Sequence, residues 1–128
     1  MTMILKSGID LVEISRLEDI QPAIRQRFLK RVFTEDELAD VGDSAASLAG
    51  RFAAKEAVAK ALGCGIGPVS WKEIEVLRGE AGEPELKLNG NAIRIAQQLG
   101  LEQWSISISH TAGQAVAVAV ALGPGKSQ

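Results

Sequence analysis

Three groups of side chains in this 128-residue chain have the chemistry for catalysis or ligand binding. Asp10 and Glu56 form the first. Two carboxylates with no accompanying cysteine or histidine cluster suit a hard ion such as magnesium, which keeps several waters and shares itself with substrate phosphates. A purely structural alternative stands beside this: Glu56 precedes Lys60 in the favourable order for an intrahelical ion pair, and Asp10 can cap a following helix. Arg51 and Lys55 form the second group, like charges one helical turn apart that repel unless an anion lies near them. A phosphate ligand satisfies that requirement; the alternative is that both side chains snorkel to solvent over apolar neighbours. The third group surrounds the single histidine, His110, where Ser109 and Thr111 add hydroxyls that either grip phosphate oxygens or satisfy a turn. Other chemistries find no support. There is no nucleophile-elbow signature around any serine and no phosphate loop ending in Gly-Lys-Ser/Thr, and the Gly65/Gly67 pair makes no dinucleotide fingerprint.

The elements that must position these groups are legible in outline. Met3 to Asp10 has the pattern of a short strand ending in Ser-Gly-Ile-Asp, which places Asp10 where the chain leaves a sheet. A helix is expected from Leu11 to Ile20 and another from Pro22 to Val32, with proline in its tolerated first-turn position. Thr34 followed by Asp36 and Glu37 predicts a capped short helix running to Val41. Ser44 or Ser47 then caps a long alanine-rich helix that stops at Gly63, and a flexible loop follows to Pro68. In that long helix Arg51 and Lys55 share a side with Leu48, Val58 and Leu62, while Glu56 and Lys60 point elsewhere among Ala49, Ala53 and Ala57. It has no clean polar face, so its charges either meet partners in a crowded interior or line a site for an ion or anionic ligand.

Strands are expected at Glu73 to Arg78 and Glu85 to Leu88, and a helix from Asn89 to Leu99 stopped by Gly100. Trp104 to Ser109 and Ala115 to Leu122 alternate as a hairpin closed by His110 to Gln114, with the tail after Gly123 frayed. Both faces of the last strand are apolar, which suggests burial on both sides, by another subunit among other possibilities. The order of elements predicts an α+β fold with helices packed on one side of a mostly antiparallel sheet.

Composition bounds the class. At 46% hydrophobic and 23% charged residues the chain is globular, and its length suits a single domain over 1–128. The one cysteine, Cys64, excludes an internal disulfide and a multi-cysteine zinc site and suits a reducing compartment, so the expected location is cytoplasmic. The apolar start, Met1 to Leu5, is broken by Lys6 and Ser7 and is too short for a signal peptide or membrane span. A net charge of −2 argues against general nucleic-acid binding, yet Arg25, Arg27, Lys30 and Arg31 lie together without an acid among them. That stretch is either an ordinary solvated face or a docking surface.

Four segments together resemble the bacterial holo-acyl-carrier-protein synthases, small 4′-phosphopantetheinyl transferases: Gly8-Ile9-Asp10-Leu11-Val12-Glu13 with Arg16, Phe33 to Leu38, Ala49 to Ala57, and Ser107-Ile108-Ser109-His110-Thr111. The resemblance spans nearly the whole chain in the right order, and the long-helix segment is its most specific part. It implies the 4′-phosphopantetheinyl transferase fold. It also implies transfer of the phosphopantetheine arm from coenzyme A to a serine of apo acyl carrier protein, in fatty acid biosynthesis, releasing adenosine 3′,5′-bisphosphate.

Under that resemblance Asp10 and Glu56 are magnesium ligands, with the ion also on the coenzyme A pyrophosphate, and Lys60 contacts that pyrophosphate. Arg51, Lys55, Lys60, Ser109, His110 and Thr111 surround the nucleotide and its phosphates. Glu56 is the chosen proton acceptor, directly or through a metal-bound water, so Glu56, Lys60 and Asp10 are the catalytic set. Arg16, Arg25, Arg27 and Arg31, with apolar Phe28 nearby, become docking residues for the acidic carrier protein. The resemblance further implies a homotrimer with sites between subunits. A binding module for coenzyme A or an acidic protein, without chemistry, is the alternative.

Overall fold

The computed structural model describes residues 2–126; Met1, the first residue of the apolar start, and residues 127 and 128 of the tail lie outside it. Three antiparallel strands form the main sheet, in the order β1 (Ile4–Glu13), β5 (Gln114–Gly123), β4 (Gln103–Thr111). A separate hairpin pairs β2 (Ile74–Arg78) with β3 (Pro84–Leu88). The helices are α1 (Ser15–Glu18), α2 (Pro22–Val32), α3 (Glu35–Val41), α4 (Ala45–Ala61) and α5 (Gly90–Leu99). The expected α+β arrangement is present: α4 lies across the sheet, and every strand pair within the two sheets is antiparallel.

Side-chain size explains how close α4 comes. Along β5 the alternation puts Ala115, Ala117, Ala119 and Ala121 on one face, all fully buried, against α4 with its own buried Ala49, Ala53, Ala54 and Ala57. Gly8 on β1 lies under the same helix, where a Cβ would stand 1.9 Å from the Ala57 carbonyl oxygen. Any larger residue there must push β1 and α4 apart. This small-residue seam fixes the distance between Asp10, two positions along β1 on the same face, and the charged side chains of α4.

Several expectations change. Asp10 does not end its strand: β1 continues to Glu13, and the helix expected from Leu11 shrinks to α1, Ser15–Glu18. Strand β5 is long enough to pair every residue of β1, Asp10 with Ala117 and Glu13 with Gln114, and Ile14 N–H then donates to the Gly113 carbonyl. That ladder outweighs a weak helical pattern. The final hairpin is also tighter than expected, closing through Ala112 and Gly113, both at positive φ. His110 is therefore inside β4, opposite Ala115, rather than at the tip. The tail is held as far as Gly125, whose N–H donates to the Gly100 carbonyl.

The other elements match closely. Thr34 and Glu37 form a reciprocal capping box, Ser44 caps α4, and Gly100 ends α5 in the left-handed conformation.

Candidate functional site

The two charged sides of α4 meet entirely different surroundings. Lys55 is fully buried. Its ammonium donates to Glu37 Oε1 at 2.8 Å, to the Trp71 carbonyl at 3.0 Å and to the Ile74 carbonyl at 2.6 Å, which uses all three of its N–H groups. The Glu37 carboxylate is equally engaged: Oε1 also accepts from Thr34 N–H, and Oε2 from Val76 N–H. Burial pulls the Lys55 pKa down and Glu37 pushes it back up. Lys55, expected beside the nucleotide phosphates, is thus placed inside the protein, where it ties α4 to α3 and to the segment entering β2. The anion that its pairing with Arg51 called for is a carboxylate of the same chain, neither a ligand nor the solvent.

Arg51 is also largely buried and donates to the Val76 carbonyl. Burial weighs against its charge, Asp40 supports it and Arg78 opposes it. Unlike Lys55, it borders a cleft of 180 Å³ lined by Ser47, Arg51, Arg78, Pro84, Ile108 and His110, among others. Two guanidiniums and a histidine around one small cleft suit an anion. Arg78 lies far from Arg51 and His110 along the chain, and Ser47, whose only sequence signal is that of an alternative cap for α4, has no pattern that points to a ligand.

Glu56 and Lys60 face the free edge of β1. The Lys60 ammonium donates to the Ile9 carbonyl at 2.8 Å and to Asp10 Oδ1 at 3.2 Å. Glu56 is half-buried, and its pKa is raised first by burial and then by Asp10, while Lys60 and Arg16 pull it down. Asp10, Glu56, Lys60 and Arg16 thus form one electrostatic cluster assembled from β1, α1 and α4. Among the described residues no group of three or more His, Cys, Asp or Glu could hold a metal ion, so the candidate centre offers two carboxylates only. That donor set fits a hard ion that takes its remaining ligands from water and phosphate.

The raised Glu56 pKa has a consequence for stability. A carboxyl whose folded pKa lies above its unfolded value stabilises the fold below the unfolded value, and that contribution is lost as pH rises through the folded pKa. Glu56→Gln is therefore expected to melt higher than the parent chain at pH 7 with chelator present, the gap closing as pH falls below 4.5, the ordinary value. Thermal melts at a series of pH values check this; identical melting temperatures throughout would contradict it.

Strand alternation divides the remaining candidates. His110 shares the α4 side with Arg51, whereas Ser109 and Thr111 fall on the opposite face of the sheet. All three border a shallow depression with Leu11, Gln114 and Val116 at the sheet margin. The Arg51–His110 cleft and the Lys60 cleft, which is lined by Ser7, Gly8, Ile9 and Val118, share no residue.

On α2, Arg27 and Arg31 are exposed, as is Arg16 on α1. Arg25 is partly committed, donating to the Leu17 carbonyl at 3.2 Å. Phe28 is half-buried and packs on the rings of Phe33 and Phe52, so it belongs to the margin of the core. The exposed apolar residue among these cations is instead Ile24, whose place between an alanine and an arginine gives no signal in the sequence.

The chain matches the family described as the 4′-phosphopantetheinyl transferase superfamily over residues 6–121. It is 46% identical over 126 residues to a holo-[acyl-carrier-protein] synthase of Herpetosiphon aurantiacus, covering 93% of this chain and 99% of that protein. The crystal structure of the Helicobacter pylori holo-[acyl-carrier-protein] synthase in complex with coenzyme A superposes with a TM-score of 0.82 at 35% identity, over 90% of this chain and 98% of that one. A Bacillus anthracis holo-(acyl-carrier-protein) synthase in complex with CoA (3′,5′-ADP) gives a TM-score of 0.76 at 34% identity, over 95% and 99%.

Proposed function

The chain belongs to the 4′-phosphopantetheinyl transferase superfamily, and we propose from that membership that it acts as a holo-acyl-carrier-protein synthase. It moves the phosphopantetheine arm of coenzyme A to a serine of apo acyl carrier protein. The observation that carries this reading is the convergence of Asp10, Glu56 and Lys60 at the β1 edge, in a chain that matches such synthases over nearly its full length.

In the reaction the carrier's serine oxygen forms a bond to the pantetheine-side phosphorus as the bridging P–O bond to the nucleotide breaks. The products are the phosphodiester and adenosine 3′,5′-bisphosphate. Magnesium held by Asp10 and Glu56 supplies positive charge to the pyrophosphate oxygens when bound. Glu56, beside the pyrophosphate site, takes the serine proton. Lys60 neutralises charge on the pyrophosphate, while Arg51, Arg78 and His110 hold a nucleotide phosphate in their cleft; Ser109 and Thr111, on the other face of the sheet, stand at the separate marginal depression that His110 also borders. Because the nucleophile belongs to the partner, the chain needs none.

Incubating the chain with apo acyl carrier protein, coenzyme A and magnesium, with mass spectrometry of the carrier, tests the reading. Gain of the arm supports the transferase. Binding without mass gain would favour a non-catalytic coenzyme A or acidic-protein module.

The carrier docks on α2 through Arg27 and Arg31, with Arg16 and Arg25 flanking, and charge sets encounter and orientation more than raw affinity. Reversing both charges, Arg27→Glu with Arg31→Glu, is expected to raise the carrier KM about tenfold with kcat retained, an effect that shrinks in high salt. Equal KM values would remove α2 from the docking surface.

The active unit is a homotrimer. On the sheet face away from α4, Leu5, Ile9 and Leu11 are 66%, 58% and 57% exposed beside Val116, Val118 and Val120, an apolar surface that a second copy would cover. The family resemblance further implies that the sites of such a trimer lie between subunits. Sedimentation at micromolar concentration is expected to give three times the chain mass; a monomer would remove this assignment. No helix among the described residues is long and apolar enough to cross a membrane; the reaction is assigned to the cytoplasm, whose reducing conditions suit the single free Cys64.

A further inference from the structure

The position at Asp10 is already taken by a cation. The Lys60 ammonium lies 3.2 Å from Asp10 Oδ1 and is anchored a second time by the Ile9 carbonyl at 2.8 Å. It bonds the same carboxylate that, on the reading above, ligates the metal. The local charges also balance: two carboxylates, Asp10 and Glu56, face two cations, Lys60 and Arg16. A bare divalent ion entering this cluster meets a neutral set and must displace or lie beside an ammonium. Lys60 is well placed to leave, since its side chain is 51% exposed and sits on a flexible stem at the β1 edge, whereas Asp10 is 18% exposed and held in the ladder.

We propose that Lys60 is the resident counter-ion of Asp10 and that it makes the metal and the pyrophosphate bind as one unit. When both arrive together, Lys60 gives up Asp10 and transfers its hydrogen bonds to a phosphate oxygen, so no carboxylate, phosphate or ammonium is left without a partner. When the metal arrives alone, Lys60 has no new anion and competes with it. Metal and nucleotide affinities are then coupled through this side chain, and by linkage each raises the other by the same factor. The proposal rests on Asp10 and Glu56 being the metal ligands.

The test measures Mn²⁺ binding to the full chain, by loss of the free-ion electron paramagnetic resonance signal, with and without coenzyme A. The parent should bind Mn²⁺ weakly alone and at least about tenfold tighter with coenzyme A. Lys60→Met should bind Mn²⁺ alone about tenfold tighter than the parent and gain less from coenzyme A, while Lys60→Arg, which keeps the charge, should behave as the parent does. Circular dichroism confirms that each variant is folded, as expected for an exposed side chain. Mn²⁺ binding no tighter in Lys60→Met than in the parent overturns the counter-ion role and leaves the metal ligands standing. If Asp10→Asn binds Mn²⁺ as well as the parent does in the presence of coenzyme A, the metal assignment itself fails and the proposal falls with it.

Discussion

Replacing Glu37 by alanine is expected to destabilise the fold by about 3–5 kcal/mol, because it leaves the Lys55 ammonium buried without its counter-charge. The cost is larger than that of an ordinary ion pair for a structural reason. Glu37 also accepts from the N–H groups of Thr34 and Val76, so one substitution orphans three donors on α3, α4 and β2. Against a typical total stability of roughly 5–15 kcal/mol, such a loss leaves a marginal protein. Urea denaturation measures it. The double variant Glu37→Gln with Lys55→Met should recover part of the loss, since it removes the buried charge as well as its partner. A Glu37→Ala chain within about 1 kcal/mol of the parent would mean that Lys55 reaches solvent.

Glu56→Gln and Asp10→Asn are each expected to lower kcat/KM for carrier modification by about a thousandfold or more while the fold is retained. Either change removes half of the two-carboxylate donor set, and Glu56→Gln removes the proposed proton acceptor as well. The stability expectation makes this diagnostic: Glu56→Gln should melt no lower than the parent, since the folded chain disfavours the charged form of Glu56. Lost activity together with retained or raised stability separates chemistry from folding. Full activity in both variants would sink the metal assignment.

Short-range signals in the sequence were reliable where the chemistry is local. The Thr34–Glu37 capping box, the Pro22 start of α2 and the Gly100 stop of α5 each depend on neighbours within one turn, and each is where the residue types put it. The length of β1 was not legible, because it is set by the ten residues of β5 that pair with it from the far end of the chain. The partner of Lys55 was not legible for a related reason. The helical spacing of Lys55 from Arg51 left a ligand anion and solvent as the two alternatives, and helical geometry cannot foresee a third, the Glu37 carboxylate that comes to it across 18 residues.

What the sequence by itself determined is the α+β order of elements and the unusual charge pattern of α4, which follow from residue types and their spacing, and, through the resemblance of four segments, the family. What only the tertiary structure decided is the role of each charge. Arg51 and Lys55 turn inward because α3 and β2 bring a carboxylate and backbone carbonyls to them. Glu56 and Lys60 stay accessible because α4 crosses the sheet at Gly8, where the missing side chain lets the helix approach and sets both beside Asp10. Charge patterns constrain what a helix must meet; packing selects which groups it meets, because burial makes an unpaired ion too costly to leave to solvent or chance.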